Sequence, residues 1–347
     1  MKLMKTTEAV GQVLCHDITQ IIPGVKKDAV FRKGHIITKE DIPMLLSVGK
    51  DTIYIWENDE TMMHENEAAQ VLYSMCACGT ASKMHPSSVK EGKIEVIADC
   101  DGLLKVDSEK LKKVNSFGEM MIATRHGNTT VKKGDKLAGT RIIPLVIKKD
   151  KLKEASNICE DGPILDIKPF VVRKAAIITT GNEVYHGRIQ DAFTPVIEKK
   201  IAEFGAQMMF HEVFDDDDKK ITDGCLRAIE AGAEIVFCTG GMSVDPDDKT
   251  PLAIKNTGAR IVSYGSPVLP GAMFLLSYYD AGDRLVPICG LPGCAMYNKR
   301  TIFDIVLPRL MARDMILADE LAGLGEGGLC LNCDVCTFPN CGFGKGF

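Results

Sequence analysis

Two adjacent glycines, a serine and three aspartates follow an apolar run in "FCTGGMSVDPDDKT", residues 237–250. Bare backbone N–H groups at a glycine turn suit an anion such as phosphate, whereas carboxylates suit a hard cation such as Mg²⁺. Phosphate and carboxylate repel each other unless a cation lies between them. The segment therefore predicts a phosphorylated ligand that binds together with Mg²⁺.

Three other segments have the same character: "TTGNEVYHGRIQD" (179–191), "DDDD" (215–218) and "GLPG" (290–293). Taken singly, each has an ordinary structural explanation, such as a tight turn, a solvated acidic loop or a helix cap. Four such segments in order within one part of the chain favour a single shared site.

Apolar runs precede these segments and must position them. "AAIITT", "AQMMFHEVF", "EIVFCT" and "RLVPICG" are typical of strands, and helical periodicity separates them. We also expect a strand at "ARIVSYG" and a long helix at about 295–313, kinked or interrupted at Pro308. The alternation predicts an α/β fold, a mostly parallel sheet with helices on both faces. Ligands bind such sheets beyond the carboxyl ends of the strands, where all four segments lie.

Composition and turn signals divide the chain further. Small β-rich domains are expected before the α/β domain, and a cysteine-rich tail after it. The predicted divisions are a small α+β domain (1–58), a helical connector (59–86), a small β-barrel-like domain (87–150), the α/β domain (170–320) and the tail (325–347).

The overall composition excludes several classes of protein. The net charge is -5, so the basic footprint of a general nucleic-acid binder is missing. No apolar run approaches the roughly 18 residues of a membrane span, and the first residues lack the apolar core of a signal peptide. We therefore expect a cytoplasmic protein with small-molecule ligands and neither nucleic-acid nor membrane partners.

The motifs "TTGNEV…GRIQD", "GGMSVDPDD" and "CGLPG", in this order and spacing, resemble a molybdopterin-binding domain. That domain occurs in the molybdopterin molybdenumtransferases, which are gephyrin-like molybdenum insertases, and in their adenylyltransferase relatives. The resemblance covers residues from about 170 to 315. It implies Mg²⁺-dependent insertion of molybdate into adenylated molybdopterin with release of AMP, and a homo-oligomer, either a dimer or a trimer.

The resemblance also implies roles for particular residues. The implied catalytic acids are Glu183, Asp216 and Asp248. Asp215 is the alternative to Asp216, because the family's acid can be aligned with either residue of the aspartate run. Asp191 and Asp248 are the implied metal ligands. The pterin phosphate and its pocket are assigned to Thr180, Gly181, Gly240, Gly241, Ser243, Gly290, Pro292 and Gly293.

Three positions depart from the family pattern: Phe193, Asp245 and Cys294. They keep open a second hypothesis, a molybdopterin-binding carrier or sensor without turnover. "DPDDKT" also resembles the nucleotide-hydrolysing competence/damage-inducible proteins, which share this fold. In that third hypothesis Asp247, Asp248 and Thr250 form the metal site of a nucleotide pyrophosphatase.

The last 18 residues hold four of the 13 cysteines, at Cys330, Cys333, Cys336 and Cys341. The spacing C-x₂-C-x₂-C-x₄-C is close to that of a bacterial ferredoxin and unlike the two separated pairs of a zinc ribbon. It predicts an iron–sulfur cluster, with zinc as the alternative. A thiol-rich tail without metal is the ordinary explanation.

Overall fold

In a computed structural model of the chain, the structure describes residues 2–22, 26–55, 59–79 and 83–346. The strands, numbered in chain order, are β1 (Lys2–Lys5), β2 (Ile18–Ile22), β3 (Lys26–Phe31), β4 (Thr52–Ile55), β5 (Met62–His64), β6 (Met84–Pro86), β7 (Lys93–Ala98), β8 (Gly102–Val106), β9 (Met120–Thr124), β10 (Thr129–Val131), β11 (Lys136–Ile142), β12 (Val146–Lys148), β13 (Leu165–Lys168), β14 (Lys174–Thr180), β15 (Gln207–Phe214), β16 (Ile235–Thr239), β17 (Arg260–Tyr264), β18 (Leu275–Asp280) and β19 (Leu285–Leu291).

The α-helices are α1 (Ile42–Ser47), α2 (Glu65–Ala77), α3 (Ser108–Ser116), α4 (Lys149–Asn157), α5 (Asn182–Tyr185), α6 (Phe193–Ala202), α7 (Asp218–Glu230), α8 (Thr250–Asn256), α9 (Ile302–Met311) and α10 (Ala318–Ala322). Short 3₁₀ helices occur at Thr6–Glu8, Gly293–Met296 and Gly323–Gly325. In the part of the chain just described, no helix combines the length and the apolar character needed to cross a bilayer.

The chain forms two compact units. Unit one comprises Met1–Asp99, Val106–Arg125 and Lys133–Asp166, and unit two comprises Cys100–Lys105, His126–Lys132 and Ile167–Phe347. Residues 58, 86 and 150, where divisions were predicted, lie within unit one, and the predicted divisions stay a prediction.

Unit one contains small antiparallel sheets. One has four strands in the order β6-β7-β11-β9, and α2 packs against β7 and β11. Within residues 87–150, where a small β-barrel-like domain was predicted, β8 and β10 pair in a separate sheet in the order β10-β8-β13. Glycine turns marked the strand ends correctly, but turns carry no information about which strands pair.

Unit two is built on a six-stranded sheet in the order β15-β14-β16-β19-β18-β17. The first four strands are parallel, and β18 is antiparallel to both of its neighbours. Side chains of β16 alternate between two apolar cores, with Ile235 and Phe237 on one face and Val236 and Cys238 on the other. Helices α6 and α9 cover the first face, and α7 and α8 cover the second. The predicted α/β fold is confirmed.

Two predictions within unit two are corrected. Strand β18 was not predicted, because its apolar run was not recognised as a strand. The helix predicted at 295–313 begins only at Ile302, because Thr301 and Asp304 form a capping box there. That helix continues through Pro308 to Met311, where burial on almost every side holds the last turn in place.

Candidate functional site

The four glycine-rich and acidic segments lie side by side at one edge of the six-stranded sheet. They follow β15, β14, β16 and β19, which are adjacent and parallel in that order. In register, Thr180 lies opposite Phe214, and Thr239 lies opposite both Thr179 and Leu291. The strand ends are therefore level, and neighbouring segments are separated by about 5 Å, the usual distance between strands.

The Gly240–Gly241 turn is fixed by two buried threonines. Both glycines have positive φ, of 81° and 55°. A Cβ at Gly240 would lie 2.1 Å from the carbonyl oxygen of Thr180, and one at Gly241 would lie 2.8 Å from Thr250 Oγ1. Thr250 Oγ1 donates to the Gly240 carbonyl at 2.9 Å and lies 3.0 Å from Thr180 Oγ1. Glycine is thus required at both positions by backbone conformation and by space.

The amides after this turn are available to a ligand. Within the described residues, the N–H groups of Gly241, Met242 and Ser243 donate to no protein acceptor. Successive unpaired N–H groups next to positive-φ glycines form a concave site for anions. Tyr264 Oη donates to the carbonyl of Met242 at 3.1 Å, which helps to hold the segment.

The charges of acids from two other segments act on Asp216. Its carboxylate accepts a hydrogen bond from the N–H of Asn182 at 3.1 Å, which joins the ends of β14 and β15. Burial raises the pKa of Asp216, the Asn182 bond lowers it, and the charges of Glu183, Asp247 and Asp248 raise it further. Like charges gathered in this way fit a divalent cation, which would relieve their mutual repulsion.

The four aspartates of the "DDDD" run have different partners. Asp217 caps α7 by accepting from the N–H groups of Lys219 and Lys220, and Asp218 accepts from Asn256. Asp215 pairs with the Lys220 ammonium at 2.7 Å. The second aspartate of the run is therefore the one that faces the other acids, an assignment that the sequence left open.

Asp248 and Ser243 belong to the segment between β16 and α8. Asp248 accepts a hydrogen bond from the N–H of Asp245 at 2.9 Å, so one of its oxygens turns back onto its own segment. Burial raises the pKa of the Tyr264 hydroxyl, and the charge of Asp248 adds to the rise. The side chain of Ser243 is exposed, and its carbonyl faces Tyr264 Oη at 3.4 Å.

Asp191 is held by the protein itself. Its Oδ1 accepts from the N–H groups of Phe193 and Thr194, and its Oδ2 accepts from the hydroxyls of Thr179 and Thr194. His211 Nε2 lies 3.6 Å away. Burial would raise the pKa of Asp191, but these hydrogen bonds lower it below its ordinary value. In this structure Asp191 acts as the cap of α6, and the role of metal ligand stays a prediction.

The remaining pocket residues differ in their surroundings. A Cβ at Gly290 would lie 2.5 Å from Met242, so Gly290 makes room for that buried side chain, and its role in a ligand pocket stays a prediction. Open space surrounds Gly293, which follows Pro292 at the start of a 3₁₀ helix. Gly181, with φ of 127°, precedes α5 and donates its N–H to the Phe214 carbonyl.

The four tail cysteines are free thiols in the structure. Cys330 and Cys341 pack against the core of unit two, whereas Cys333 and Cys336 are exposed. Across residues 2–22, 26–55, 59–79 and 83–346, no three His, Cys, Asp or Glu side chains are placed as a ready-made metal site. The iron–sulfur or zinc site stays a prediction, which metal analysis of anaerobically purified protein would test.

Several residues of the site escaped the sequence analysis. The hydroxyl of Thr250 was assigned to a metal site, but it is fully buried and holds the glycine turn. Asn182 lies inside the "TTGNEV" motif but was given no role, and Tyr264 is marked only by its position at the end of a strand. His211 lies among Thr179, Thr194 and Asp191, a cluster that sequence spacing does not reveal.

Comparison with known families agrees with this placement. Residues 176–312 match the family described as "Probable molybdopterin binding domain", and residues 3–57 match a "Domain of unknown function". The first match includes every predicted site residue between 180 and 293. It supports the predicted resemblance at the level of the superfamily.

Similar curated proteins bear the name "Putative competence-damage inducible protein". The one from Bacillus velezensis is 29% identical over 90 residues, which is 26% of this chain and 21% of that protein. The one from Clostridium kluyveri is 26% identical over 156 residues, 39% of this chain and 37% of that protein. The chain thus spans about a fifth of the length of the first relative.

Similar solved structures include the tungsten cofactor synthesizing protein MoaB from Pyrococcus furiosus, with 18% identity, a TM-score of 0.31, and coverage of 41% of this chain and 89% of that chain. Another is the molybdopterin biosynthesis Mog protein from Mycobacterium ulcerans, with 18% identity, a TM-score of 0.32, and coverage of 43% and 99%.

Proposed function

We propose that the chain is a Mg²⁺-dependent enzyme of molybdenum cofactor biosynthesis, which inserts molybdate into adenylated molybdopterin and releases AMP. The observation that carries this proposal is the meeting of the Gly240–Gly241 turn with acids from three segments at one sheet edge. The family match at residues 176–312 supports the pterin as the ligand.

The glycine turn has the role of holding phosphate. The unpaired amides of Gly241, Met242 and Ser243 are oriented by the Thr180–Thr250 hydrogen bonds before any ligand arrives. Preoriented N–H dipoles stabilise developing negative charge without reorganisation, which is the usual source of such catalysis.

The acids have the role of holding the cation. Asp216, Glu183 and Asp248 would supply carboxylate oxygens, the ligands that Mg²⁺ prefers when substrate phosphates complete its coordination. Among the described residues these three side chains are not grouped as a ready-made metal site, so substrate phosphates would have to complete it. The buried Asp215 Oδ1 and Thr239 Oγ1 also lack partners among the described residues at this edge. When bound, the cation would neutralise phosphate charge and polarise the anhydride.

Two other functions are favoured by particular observations. The similarity to competence-damage inducible proteins, with Asp247 among the clustered acids, favours a nucleotide pyrophosphatase. The hydrogen bond from Asp245 to Asp248 occupies a proposed metal ligand and favours a molybdopterin carrier or sensor without turnover.

One assay separates the three functions. Purified protein is incubated with adenylated molybdopterin, Mg²⁺ and molybdate, and both AMP and pterin-bound molybdenum are measured. AMP together with metal-loaded pterin supports the insertase. Tight binding without AMP indicates the carrier or sensor, and turnover of ordinary dinucleotides regardless of molybdate indicates the pyrophosphatase.

Matched variants test the site itself. Asp216→Asn and Asp248→Asn are expected to lower turnover by at least about 100-fold, a barrier change of about 2.7 kcal/mol. Asp223→Asn makes the same charge change at an exposed position of α7 and should leave turnover unchanged. Activity of Asp216→Asn or Asp248→Asn within about tenfold of the unchanged protein contradicts the metal assignment.

The proposal includes a cytoplasmic location and a homo-oligomeric state. Light scattering coupled to size-exclusion chromatography measures the latter, and a monomer at micromolar concentration contradicts it.

A further inference from the structure

A second polar cleft lies within unit one, far along the chain from the site already described. Its volume is about 230 Å³, and its lining includes His16, Arg32, His64, Glu65, Lys90 and Glu91. The lining residues come from residues 16–33, from residues 64–66 at the start of α2 and from residues 88–91 before β7. A cleft of this size accommodates a small organic molecule rather than a macromolecule.

Two cations, Arg32 and Lys90, lie at the cleft. Arg32 and Lys90 are exposed, and within the described residues neither side chain takes part in a hydrogen bond or an ion pair. A guanidinium and an ammonium on the same cleft attract carboxylate or phosphate groups, which both cations bind by charge-assisted hydrogen bonds.

Two acids of the lining already accept hydrogen bonds from the protein. Asp17 accepts a hydrogen bond from the Lys33 N–H at 2.8 Å. Glu91 accepts from the Lys93 ammonium and from the Thr19 hydroxyl, each at 3.4 Å. Apart from its histidines, the lining contains three acidic and three basic residues.

Glu65 also lines the cleft. Burial raises the pKa of its carboxyl, the charge of Arg141 lowers it, and the charges of Glu91 and Asp17 raise it again.

The two histidines form the neutral part of the lining. His64 is fully engaged, because Nε2 bonds to the Cys15 carbonyl at 2.9 Å and Nδ1 accepts from the Asn66 N–H. His16 Nδ1 is buried and has no hydrogen-bond partner among the described residues. A buried polar atom without a partner costs about 1–3 kcal/mol, so a ligand group that pairs with it gains affinity.

We propose that this cleft binds a small hydroxylated organic anion, whose carboxylate or phosphate group pairs with Arg32 and Lys90 while a hydroxyl pairs with His16. The site is independent of the sheet-edge site and of the function proposed for it. The segment that matches a domain of unknown function supplies Arg32 and His16, so the cleft gives that domain a ligand class.

Isothermal titration calorimetry on the full chain at low salt tests the proposal with three probes. Citrate carries carboxylates, glycerol 3-phosphate carries a phosphate, and glycerol carries only hydroxyls. Saturable binding of one or both anions, without binding of glycerol, is expected. The anion that binds distinguishes a carboxylate ligand from a phosphate ligand.

Variants locate the binding. Arg32→Ala and Lys90→Ala should each weaken binding by about tenfold, and both side chains are exposed and unpaired, so folding is preserved. Arg260→Ala, which removes an exposed arginine in unit two, is the matched control and should leave binding unchanged. His16→Phe should weaken binding without changing its salt dependence.

Three results overturn the proposal. The first is the absence of saturable binding by both anions, and the second is equal binding of glycerol. The third is the same loss of affinity in Arg260→Ala as in Arg32→Ala, which would show that net charge and not the cleft attracts the anion.

Discussion

Two carboxylate sites in unit two have opposite surroundings. Asp314 is buried among three cations, with Lys105 at 2.9 Å, Lys168 at 2.5 Å and Arg309 at 2.6 Å. Burial alone would raise the pKa of Asp314, but these cations lower it to about 2. Asp216 lies among other carboxylates, and both burial and their charges raise its pKa.

The difference separates structural acids from candidate functional acids. A carboxylate compensated by the protein stabilises the fold and has nothing left to offer a ligand. A carboxylate crowded by like charges costs stability until a cation binds, and such perturbed groups cluster at functional sites. Asp191 belongs with Asp314 in this respect, because four hydrogen bonds from the protein surround it.

The largest expected effect on the free energy of unfolding is at Asp314, the carboxylate that the protein compensates. Asp314→Asn removes one of the two carboxylates that pair with the buried Arg309 and leaves only Glu320, at 2.8 Å. We expect a loss of about 3 kcal/mol in the free energy of unfolding. Urea denaturation at pH 7 measures it, with Asp319→Asn, an exposed acid on α10, as the control. Equal stability of the two variants would refute the assignment.

The pH dependence of stability follows from the same group. Its pKa falls from the ordinary 3.8 to about 2 in the folded protein. A lowered carboxyl pKa contributes stability that is present above the ordinary value and is lost as pH falls towards the folded value. Asp314 therefore contributes about 2 kcal/mol at neutral pH, lost between about pH 5 and pH 2. Unfolding curves of Asp314→Asn should lack this part of the acid dependence, and unchanged acid dependence contradicts the prediction.

A smaller loss is expected at Asp191. Asp191→Ala removes the cap of α6 and should cost about 1 kcal/mol. Asp191→Asn keeps an oxygen for the Phe193 and Thr194 amides, so it should retain more stability than Asp191→Ala. Thermal unfolding of both variants measures the difference. If both variants lose only Mg²⁺ affinity and no stability, Asp191 is a metal ligand and not a cap.

Sequence analysis could predict the sheet and the positions of its loops, because unbroken apolar strands and glycine turns are local signals. It could not tell Asp191 from Asp216, since both are acids that follow a strand. What distinguishes them is the set of neighbours: Thr179 and His211 come from two strands, and only the folded sheet brings them to Asp191. Strand β18 was missed for a different reason, because its apolar run was not recognised as a strand.

The smallest expected effect is a gain, and not a loss, in the free energy of unfolding. Asp216→Asn removes a charge that its neighbours repel and keeps an oxygen for the Asn182 N–H, so the protein without cation should gain about 0.5 kcal/mol at pH 7. A raised carboxyl pKa favours the folded state below the ordinary value, and this advantage is lost as pH rises through the folded value. The gain should therefore disappear below about pH 4, where the unchanged protein is also protonated.

Added Mg²⁺ with pyrophosphate should reverse the order of stability of the two proteins, since a cation bound only by the unchanged protein stabilises it by about 1.4 kcal/mol at ten times its dissociation constant. Differential scanning calorimetry with and without the ions measures both effects. A loss of stability in Asp216→Asn without cation would place this carboxylate with Asp314, and the division between structural and functional acids would fail at the residue on which the site depends.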